Sequence, residues 1–349
     1  MDKVFKYELF NKMIRDFAVN EVKPLAHEVD EQERFPYETV EKMAKLGLMG
    51  IIVPKEYGGM GGDYKMYIKA VEELSKVCAT TGVILSAHTS LCIAPIMEYG
   101  NEEQKKKYLP KLASGEWLGA FGLTEPNAGT DANNQTTTAV KEGDHWVLNG
   151  SKIFITNAGP ANVYFVIAVT GRNPKGVECA AFIVEKGFPG FSVGKKELKM
   201  GIRGSSTCEL IFENCIVPEA NLVGKIGEGV KMALKTLDGG RVGISAQALG
   251  IAEGALEATV AYVKERKQFN KPISAFQNTQ FCLADLYTKI NAASLLVERA
   301  TEAKQNKSPM LGMYAAQAKL FAAETAMEVT TKCVQLHGGY GYTREYPVE

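Results

Sequence analysis

The stretch Phe121-Gly122-Leu123-Thr124-Glu125-Pro126-Asn127-Ala128-Gly129-Thr130-Asp131, followed by Phe154-Ile155-Thr156-Asn157, decides how this chain is interpreted. Hydroxyls, glycines and main-chain N–H groups come together here on turns between short β-branched runs. Such groups supply hydrogen-bond donors and acceptors without carrying a charge. The two stretches therefore favour a site at strand ends for a flat molecule with a polar edge.

The segment around these stretches, from Trp117 to Gly224, consists of short runs that are typical of strands. Runs at 136–140, 146–148 and 152–156 are separated by a turn at 142–144 and by Asn149-Gly150, a strong hairpin signal. Further strands are predicted at 163–169, 179–185 and 208–212. This pattern predicts a small β domain, a barrel-like sheet.

Helical patterns flank this segment on both sides. Before it, residues 40–48 have helical spacing up to a break at Gly50, and Asn101 precedes a predicted helix. After Glu228, three apolar stripes predict three long helices, separated near 270–272 and 308–309. Three such helices need a fourth to close a bundle, so we expect the last helix to be missing. The expected fold is α+β, with an N-terminal helical domain (1–115), a middle β domain (116–226) and a C-terminal helical bundle (227–349).

Composition limits the classes of partner. The 349 residues include 40 basic and 40 acidic side chains, a balance that gives no field to recruit nucleic acid or an anionic membrane. Seven scattered cysteines indicate free thiols in a reducing compartment, and four unpaired histidines disfavour a metal site. We find no secretory signal and no apolar run near the roughly 20 residues that cross a bilayer. We therefore expect a cytoplasmic protein.

The string Gly-Leu-Thr-Glu-Pro-x-x-Gly-Thr-Asp at 122–131, with Ile-Thr-Asn at 155–157, resembles the flavin-binding signature of the acyl-CoA dehydrogenases. The resemblance covers nearly the whole chain and is closest to the short-chain, butyryl-CoA dehydrogenase-like branch. It implies FAD as cofactor and an acyl-CoA thioester as substrate. It also implies an electron-transferring flavoprotein as electron acceptor, and a homotetramer.

The resemblance also implies which residues bind FAD. Thr156 would bond flavin N5, and Phe154 would cover one face of the ring. Arg266 and Phe269 would reach FAD held mainly by a neighbouring subunit, and residues 335–339 would line its adenosine half, although His337 and the glycines after it also suit a helix end. The expected FAD-binding residues are Phe121, Gly122, Leu123, Thr124, Thr130, Phe154, Ile155, Thr156, Arg266, Phe269, Gln277, Gln335, Leu336, His337, Gly338 and Gly339.

The stretch Leu237-Asp238-Gly239-Gly240-Arg241 is expected to open the first bundle helix, where Asp238 would suit the helix dipole. By resemblance, this stretch binds the pantetheine and acyl part of the thioester. The expected substrate-binding residues are Thr130, Asp238, Gly239, Gly240 and Arg241.

The family places its catalytic glutamate at one of two positions. One lies immediately before the arginine of Asp-x-x-Arg, which here is Gly240, a residue without a side chain. The other lies in a Tyr-Glu-Gly motif, which we expect beyond Glu349 in a chain that is truncated here. Among the 349 residues we therefore expect no catalytic base.

Butyryl-size acyl-CoA oxidation to the trans-2-enoyl-CoA is the expected reaction. The alternatives are a non-catalytic flavin-binding relative and a flavoprotein that resembles acyl-CoA oxidases or nitroalkane oxidases. A DNA-binding relative is disfavoured, because no basic tail or domain is visible.

Overall fold

A computed structural model describes residues 3–174 and 176–349. The chain forms two compact units. Unit 1 combines the described part of Met1–Glu28 with Tyr64–Val83 and Arg241–Glu349, and unit 2 combines Val29–Asp63 with Ile84–Gly240. Helix–sheet–helix order along the chain confirms the expected α+β architecture, while the three domain boundaries stay a prediction.

The first third of the chain is helical, as predicted. The predicted helix around 40–48 ends earlier than expected, because Gly47 adopts a left-handed conformation with φ 75°. Asn101 caps the last of these helices, and its side chain and that of Gln104 form a reciprocal capping box. The helices are α1 (Lys3–Phe17), α2 (Lys23–Glu31), α3 (Tyr37–Lys45), α4 (Tyr64–Val77), α5 (Ala79–Ser86), α6 (Ala94–Tyr99) and α7 (Glu102–Ser114), with π-helical turns at Ala18–Val22 and Ala87–Ile93.

The helical stretch Ala79–Tyr99 corrects the expectation that no apolar segment approaches the length of a membrane span. By length and composition this stretch could cross a bilayer, but most of it is buried inside the protein, as in the core helix of a soluble protein. Hydroxyls and His88 interrupt its apolar runs. Main-chain groups bond some of them: Ser90 Oγ donates to the Ser86 carbonyl at 2.7 Å, and His88 Nε2 lies 3.1 Å from the Leu112 carbonyl oxygen.

The middle segment forms one eight-stranded sheet. Its order is β6-β7-β3-β2-β4-β5-β8, and β1 pairs in parallel with β4. The strand β6 was not predicted. The strands are β1 (Gly119–Gly122), β2 (Thr138–Glu142), β3 (His145–Ile155), β4 (Val163–Asn173), β5 (Gly176–Glu185), β6 (Phe191–Lys196), β7 (Cys208–Pro218) and β8 (Leu222–Val223).

The strand β4 lies at the centre of the sheet. It pairs with β1, β2 and β5, and the seven side chains of 163–169 are all buried. A strand that is covered on both faces reads as a continuous apolar run, which is why sequence predicted it readily. The neighbouring core includes Trp146 against Phe182, with ring centroids 5.4 Å apart.

The predicted hairpin turn at Asn149-Gly150 is wrong. The strand β3 continues through both residues and pairs with β2 on one side and β7 on the other. The register against β7 shifts between Leu148 and Gly150, and Gly150 adopts φ 133°. A Cβ at Gly150 would lie 2.8 Å from Thr137 Cα, so the glycine permits a bulge inside a long strand.

Three long helices follow, as the apolar stripes predicted. They are α8 (Gly229–Glu265), α9 (Gln277–Gln305) and α10 (Leu311–His337). A short antiparallel hairpin of β9 (Lys267–Gln268) and β10 (Lys271–Pro272) separates α8 from α9. Since α8 begins at Gly229, the stretch 237–241 lies more than two turns inside the helix, and the expectation that it opens the helix is wrong.

Candidate functional site

The first string of the flavin-binding signature, residues 121–131, leaves the sheet at the end of β1. Gly122 pairs with Val166 of β4, and the buried ring of Phe121 stacks on Phe165 at 6.2 Å. Leu123 is also buried, while Thr124 is half-buried. The side chains of Phe121 and Leu123 therefore serve the core, and this segment can offer a ligand its main chain and the Thr124 hydroxyl.

The second string lies beside the first. Ile153 N–H donates to the Thr124 carbonyl at 2.9 Å, which joins the end of β3 to the end of β1. Phe154 adopts φ 59°, and 62% of its side chain is exposed, whereas Ile155 is buried and Thr156 half-buried. The structure thus brings the two strings together and leaves an aromatic face open at the strand end.

The loop between the strings carries Thr130, which is exposed. It starts with a bridge between Glu125 and Ala128 and returns to the sheet at β2. At Gly129 a Cβ would find no atom within 4 Å, so this part of the loop borders open space.

A buried ion pair, which sequence analysis missed, lies beneath this loop. Lys152 is fully buried in β3, and its Nζ lies 2.6 Å from Glu125 Oε1 and 3.2 Å from the Leu123 carbonyl oxygen, and also contacts Gln135 Oε1. The carboxylate of Glu125 also accepts from the Thr136 N–H and hydroxyl, both at 2.6 Å, and from Thr137 N–H at 3.0 Å.

Burial and the ion pair have opposing effects on the pKa of each member of this pair. Burial would raise the pKa of Glu125, but the Lys152 ammonium and the Thr136 donors outweigh it and lower the pKa to about 2. Burial lowers the pKa of Lys152 to about 8, with Glu125 opposing the fall. Both groups are therefore charged at neutral pH. The sequence signals of this pair were Lys152 directly before the apolar residues 153–155 and Glu125 within the string 121–131.

Two further buried side chains hold the start of β1. Gly119 N–H donates to His88 Nδ1 at 3.0 Å, and the Gly119 carbonyl accepts from Asn157 Nδ2 at 3.4 Å. His88 Nε2 lies 3.1 Å from the Leu112 carbonyl, which requires the neutral tautomer with the proton on Nε2. Asn157, at φ 66°, also donates to the Ile84 carbonyl at 3.0 Å. The side chains of His88 and Asn157 therefore fix the main chain of Gly119, at the start of β1, by hydrogen bonds.

In unit 1, a separate cavity of about 500 Å³ gathers most of the residues expected to bind the adenosine half of FAD. Arg266 lies beside Tyr340, with its guanidinium carbon 5.7 Å from the ring centroid. Gly338 and Gly339 have open space where a Cβ would lie, so their main chain is accessible. The residues that line the cavity are Tyr262, Arg266, Gln268, Ile273, Gln335, Leu336, His337, Gly338, Gly339, Tyr340, Tyr342 and Thr343.

Two expected residues do not line this cavity. Phe269 sits at the tip of the β9–β10 hairpin, where it and Asn270 have positive φ values of 52° and 62°. Its side chain is 88% exposed. Gln277 is exposed at the first residue of α9.

His337 has a structural environment, although it borders the cavity. Its ring is buried and stacks on Tyr262 at 4.2 Å, and Nδ1 lies 2.9 Å from the Cys333 carbonyl. Gly338, at φ 61°, ends α10 and donates to the Gln335 carbonyl. This supports the helix-end interpretation of His337.

Three family models match consecutive parts of the chain. They describe the N-terminal domain of acyl-CoA dehydrogenases over residues 6–116, the middle domain over 120–215 and the C-terminal domain over 227–349. The chain belongs to the acyl-CoA dehydrogenase family.

Individual relatives are similar over almost the full chain. A short-chain specific acyl-CoA dehydrogenase of Clostridium acetobutylicum is 60% identical, over 98% of this chain and 90% of the relative. The butyryl-CoA dehydrogenase structure from Megasphaera elsdenii is 49% identical with a TM-score of 0.95, over 98% of this chain and 90% of that one. A structure described as the electron transferring flavoprotein of Acidaminococcus fermentans contains a chain 54% identical, with a TM-score of 0.95 and the same coverage.

This acyl-CoA dehydrogenase is an FAD-dependent oxidoreductase that acts on CH–CH bonds. The residues present fit the cofactor. Open space at Gly129, Gly338 and Gly339 exposes main-chain groups, and Arg266 supplies a charge suited to a pyrophosphate. The strand ends at Thr124 and Thr156 offer uncharged donors suited to the flavin edge.

The stretch expected to bind the thioester lies within α8. Asp238 and Gly240 are half-buried and Gly239 is buried. A Cβ at Gly240 would lie 2.9 Å from Leu91 Cδ2. A side chain at this position would therefore have to displace Leu91. Because Asp238 is not near the helix start, its expected interaction with the helix dipole is wrong.

Proposed function

We propose that this acyl-CoA dehydrogenase oxidises short-chain thioesters of butyryl size to the trans-2-enoyl-CoA. The observation that carries the proposal is the hydrogen bond from Ile153 N–H to the Thr124 carbonyl. This bond sets the two strand ends that carry the flavin-binding signature side by side. The chain-length assignment rests on the 60% identity to the short-chain specific enzyme.

When bound, FAD would supply the acceptor for the hydride that leaves the β-carbon of the thioester. Thr156 at the end of β3 would donate a hydrogen bond to the flavin, and Phe154 would cover one ring face. The main chain of 121–124, with the hydroxyls of Thr124 and Thr130, fixes the polar edge. Arg266 and Phe269 would reach FAD that is held mainly by a neighbouring subunit, and the main chain of 335–339 would line its adenosine half. Gln277 is proposed as a further contact to that FAD.

Asp238, Gly239, Gly240 and Arg241 are proposed to bind the thioester, together with Thr130. The reaction needs a carboxylate to remove the α-proton. We assign this role to no residue between 1 and 349. Gly240 has no side chain, and Leu91 already borders the space beside it.

The experiment that tests the reaction is an anaerobic titration of the full-length holoenzyme with butyryl-CoA. Bleaching of the oxidised flavin band, with formation of crotonyl-CoA, is expected. Octanoyl-CoA, a medium-chain thioester used for comparison, is expected to bleach the band more slowly at equal concentration. A flavin that stays oxidised with thioesters of every length would contradict the proposal and favour a flavin-binding relative without turnover.

We further propose that electrons leave to an electron-transferring flavoprotein. A chain 54% identical occurs in a structure described by that protein's name, which supports the proposal. Rapid reoxidation of the reduced enzyme by the purified flavoprotein, and slow reoxidation by oxygen, is expected in a stopped-flow experiment. The reverse order would identify an oxidase.

A homotetramer is proposed as the assembly. Large apolar side chains are more than half exposed on α9 and α10: Phe281, Tyr287, Leu295, Leu320 and Met327. Such surfaces on a protein chain are typical of subunit contacts. Light scattering coupled to size-exclusion chromatography tests this, and a monomeric mass would contradict it.

A further inference from the structure

The buried ammonium of Lys152 contacts the peptide group that links Leu123 to Thr124. Its Nζ lies 3.2 Å from the Leu123 carbonyl oxygen. That oxygen and the Thr124 N–H belong to one planar peptide unit. A cation on the oxygen withdraws electron density from the peptide and makes its N–H a stronger donor, because linked hydrogen bonds polarise one another.

The partner carboxylate fixes the loop that follows. Glu125 Oε2 accepts from Thr136 N–H and Oε1 accepts from Thr137 N–H, while its own main chain bridges to Ala128. The carboxylate thus joins the two ends of the segment 125–137, whose exposed part carries Thr130. Gln135 Oε1 adds a third acceptor for Lys152, after the Leu123 carbonyl and Glu125 Oε1.

A purely stabilising role explains this arrangement poorly. Removing two charges from water costs free energy that the ion pair repays only in part, and an apolar pair of similar volume often stabilises as well or better. Apolar residues would, however, leave the Leu123 carbonyl without its donor and the loop ends without their common acceptor.

We infer that Lys152 and Glu125 are a positioning pair for the flavin, in which Lys152 orients and polarises the Leu123–Thr124 peptide and Glu125 fixes the loop that carries Thr130. This inference rests on the proposed placement of the flavin at these strand ends. Neither side chain touches the reacting atoms. Their effect reaches the cofactor through the Thr124 N–H and the loop.

The test compares three variants of the full-length holoenzyme. Lys152→Met alone leaves the Glu125 carboxylate buried without its cation. The double variant Lys152→Met/Glu125→Gln removes both charges and preserves the approximate volume, so it keeps the test valid if the single variant fails to fold. Lys141→Met is the matched control, because Lys141 lies on the adjacent strand β2 in a surface pair with Glu219.

The readouts are FAD dissociation, the midpoint potential of bound FAD and amide hydrogen exchange over 124–137. In the double variant we expect FAD to bind about tenfold more weakly, the loss of one charge-assisted hydrogen bond. We expect a more negative midpoint potential, because a weaker donor stabilises less of the charge that the ring gains on reduction. Exchange over 124–137 is expected to accelerate, and Lys141→Met should match the wild type in all three.

A folded double variant with wild-type FAD affinity, potential and exchange would overturn the inference. Faster exchange with unchanged affinity and potential would also overturn it, since the pair would then serve the loop alone. The wild-type titration with butyryl-CoA is independent of these readouts. A wild type that butyryl-CoA does not bleach would refute the proposed reaction and leave the comparison of affinity and potential intact.

Discussion

At the scale of single residues, Thr156 offers the most direct test of the flavin site. Thr156 is half-buried and follows β3 immediately after the exposed Phe154 and the buried Ile155. We expect Thr156→Ala to slow flavin reduction by butyryl-CoA about ten- to hundredfold, the equivalent of one hydrogen bond to a charged group. Stopped-flow absorbance measures the rate.

The matched control is Thr170→Ala, which removes another strand hydroxyl from unit 2, one that bonds the Glu178 carbonyl. In the Thr170→Ala variant, butyryl-CoA should reduce the flavin at the wild-type rate. Unchanged kinetics in Thr156→Ala would remove Thr156 from the mechanism, whereas loss of folding in both variants would point to a structural role for strand threonines.

His88 gives a prediction about pH. Complete burial lowers its pKa to about 4, although its bond to the Leu112 carbonyl opposes the shift. Between pH 6.5 and 4 the unfolded chain binds a proton at this histidine and the folded chain does not, so the free energy of unfolding falls as pH falls. The full loss is about 3 kcal/mol, at 1.36 kcal/mol per pH unit.

Urea unfolding at pH 7.5 and 5.0 measures this contribution. His88→Gln keeps a donor and an acceptor but does not titrate, so it should lose less free energy of unfolding over this range than the wild type does. Equal losses in the two proteins would show that His88 is not the group that titrates.

At the scale of elements, the start of β1 packs closely on the π-helix Ala87–Ile93. A Cβ at Gly119 would lie 2.5 Å from Cys92 Sγ and 2.6 Å from Cys92 Cβ. We expect Gly119→Ala to lower the free energy of unfolding by about 1–3 kcal/mol through overpacking, and to weaken FAD binding by displacing the strand end. Thermal unfolding and flavin release measure the two effects.

Gly187 provides the control for this substitution. A Cβ there would meet nothing within 4 Å, and its φ is not positive. Gly187→Ala should leave stability and flavin affinity unchanged. An equally mild effect of Gly119→Ala would show that the π-helix yields to the added methyl group.

Elements also show where sequence reasoning succeeds. The run 163–169 was predictable because a strand that is buried on both faces is continuously apolar, and the three helical stripes were predictable because burial there follows the helical period. Asn149-Gly150 misled because pairing of β3 with both β2 and β7 overrides a local turn preference. Asp238 misled because the apolar pattern does not mark the helix start at Gly229.

In the candidate site, too, local sequence patterns were predictable and contacts between distant residues were not. The two strings at 121–131 and 154–157 could be read from sequence because they are contiguous. The pair of Glu125 and Lys152 could not, because its partners are 27 residues apart and its importance depends on burial. His88 and Asn157 meet at Gly119 for reasons that no local pattern contains.

At the scale of the whole molecule, charged side chains join distant segments of unit 1. Lys76 of α4 lies 2.8 Å from Glu253 of α8 and 3.3 Å from Glu73, which is buried. These acidic neighbours raise the pKa of Lys76 although its burial acts against them. We expect Lys76→Met to lower the free energy of unfolding by about 3 kcal/mol, because it leaves mostly buried carboxylates without this cation.

Lys65→Met is the control on the same helix. Lys65 pairs with Glu302 at 2.8 Å, but both side chains are substantially exposed, so its loss should cost about 0.5 kcal/mol or less. Denaturant unfolding compares the two variants. Equal effects would mean that burial does not strengthen the Lys76 contacts.

The division of the chain into two units affects how it can fold during synthesis. Every segment of unit 2 has been made once residue 240 is complete, whereas residues up to 28 and 64–83 belong with 241–349. At roughly 5–20 residues per second, the ribosome adds residues 241–349 over several seconds or more. During that interval α1 and α4 lack their final neighbours, so the nascent protein exposes apolar helix faces to the chaperones that meet it.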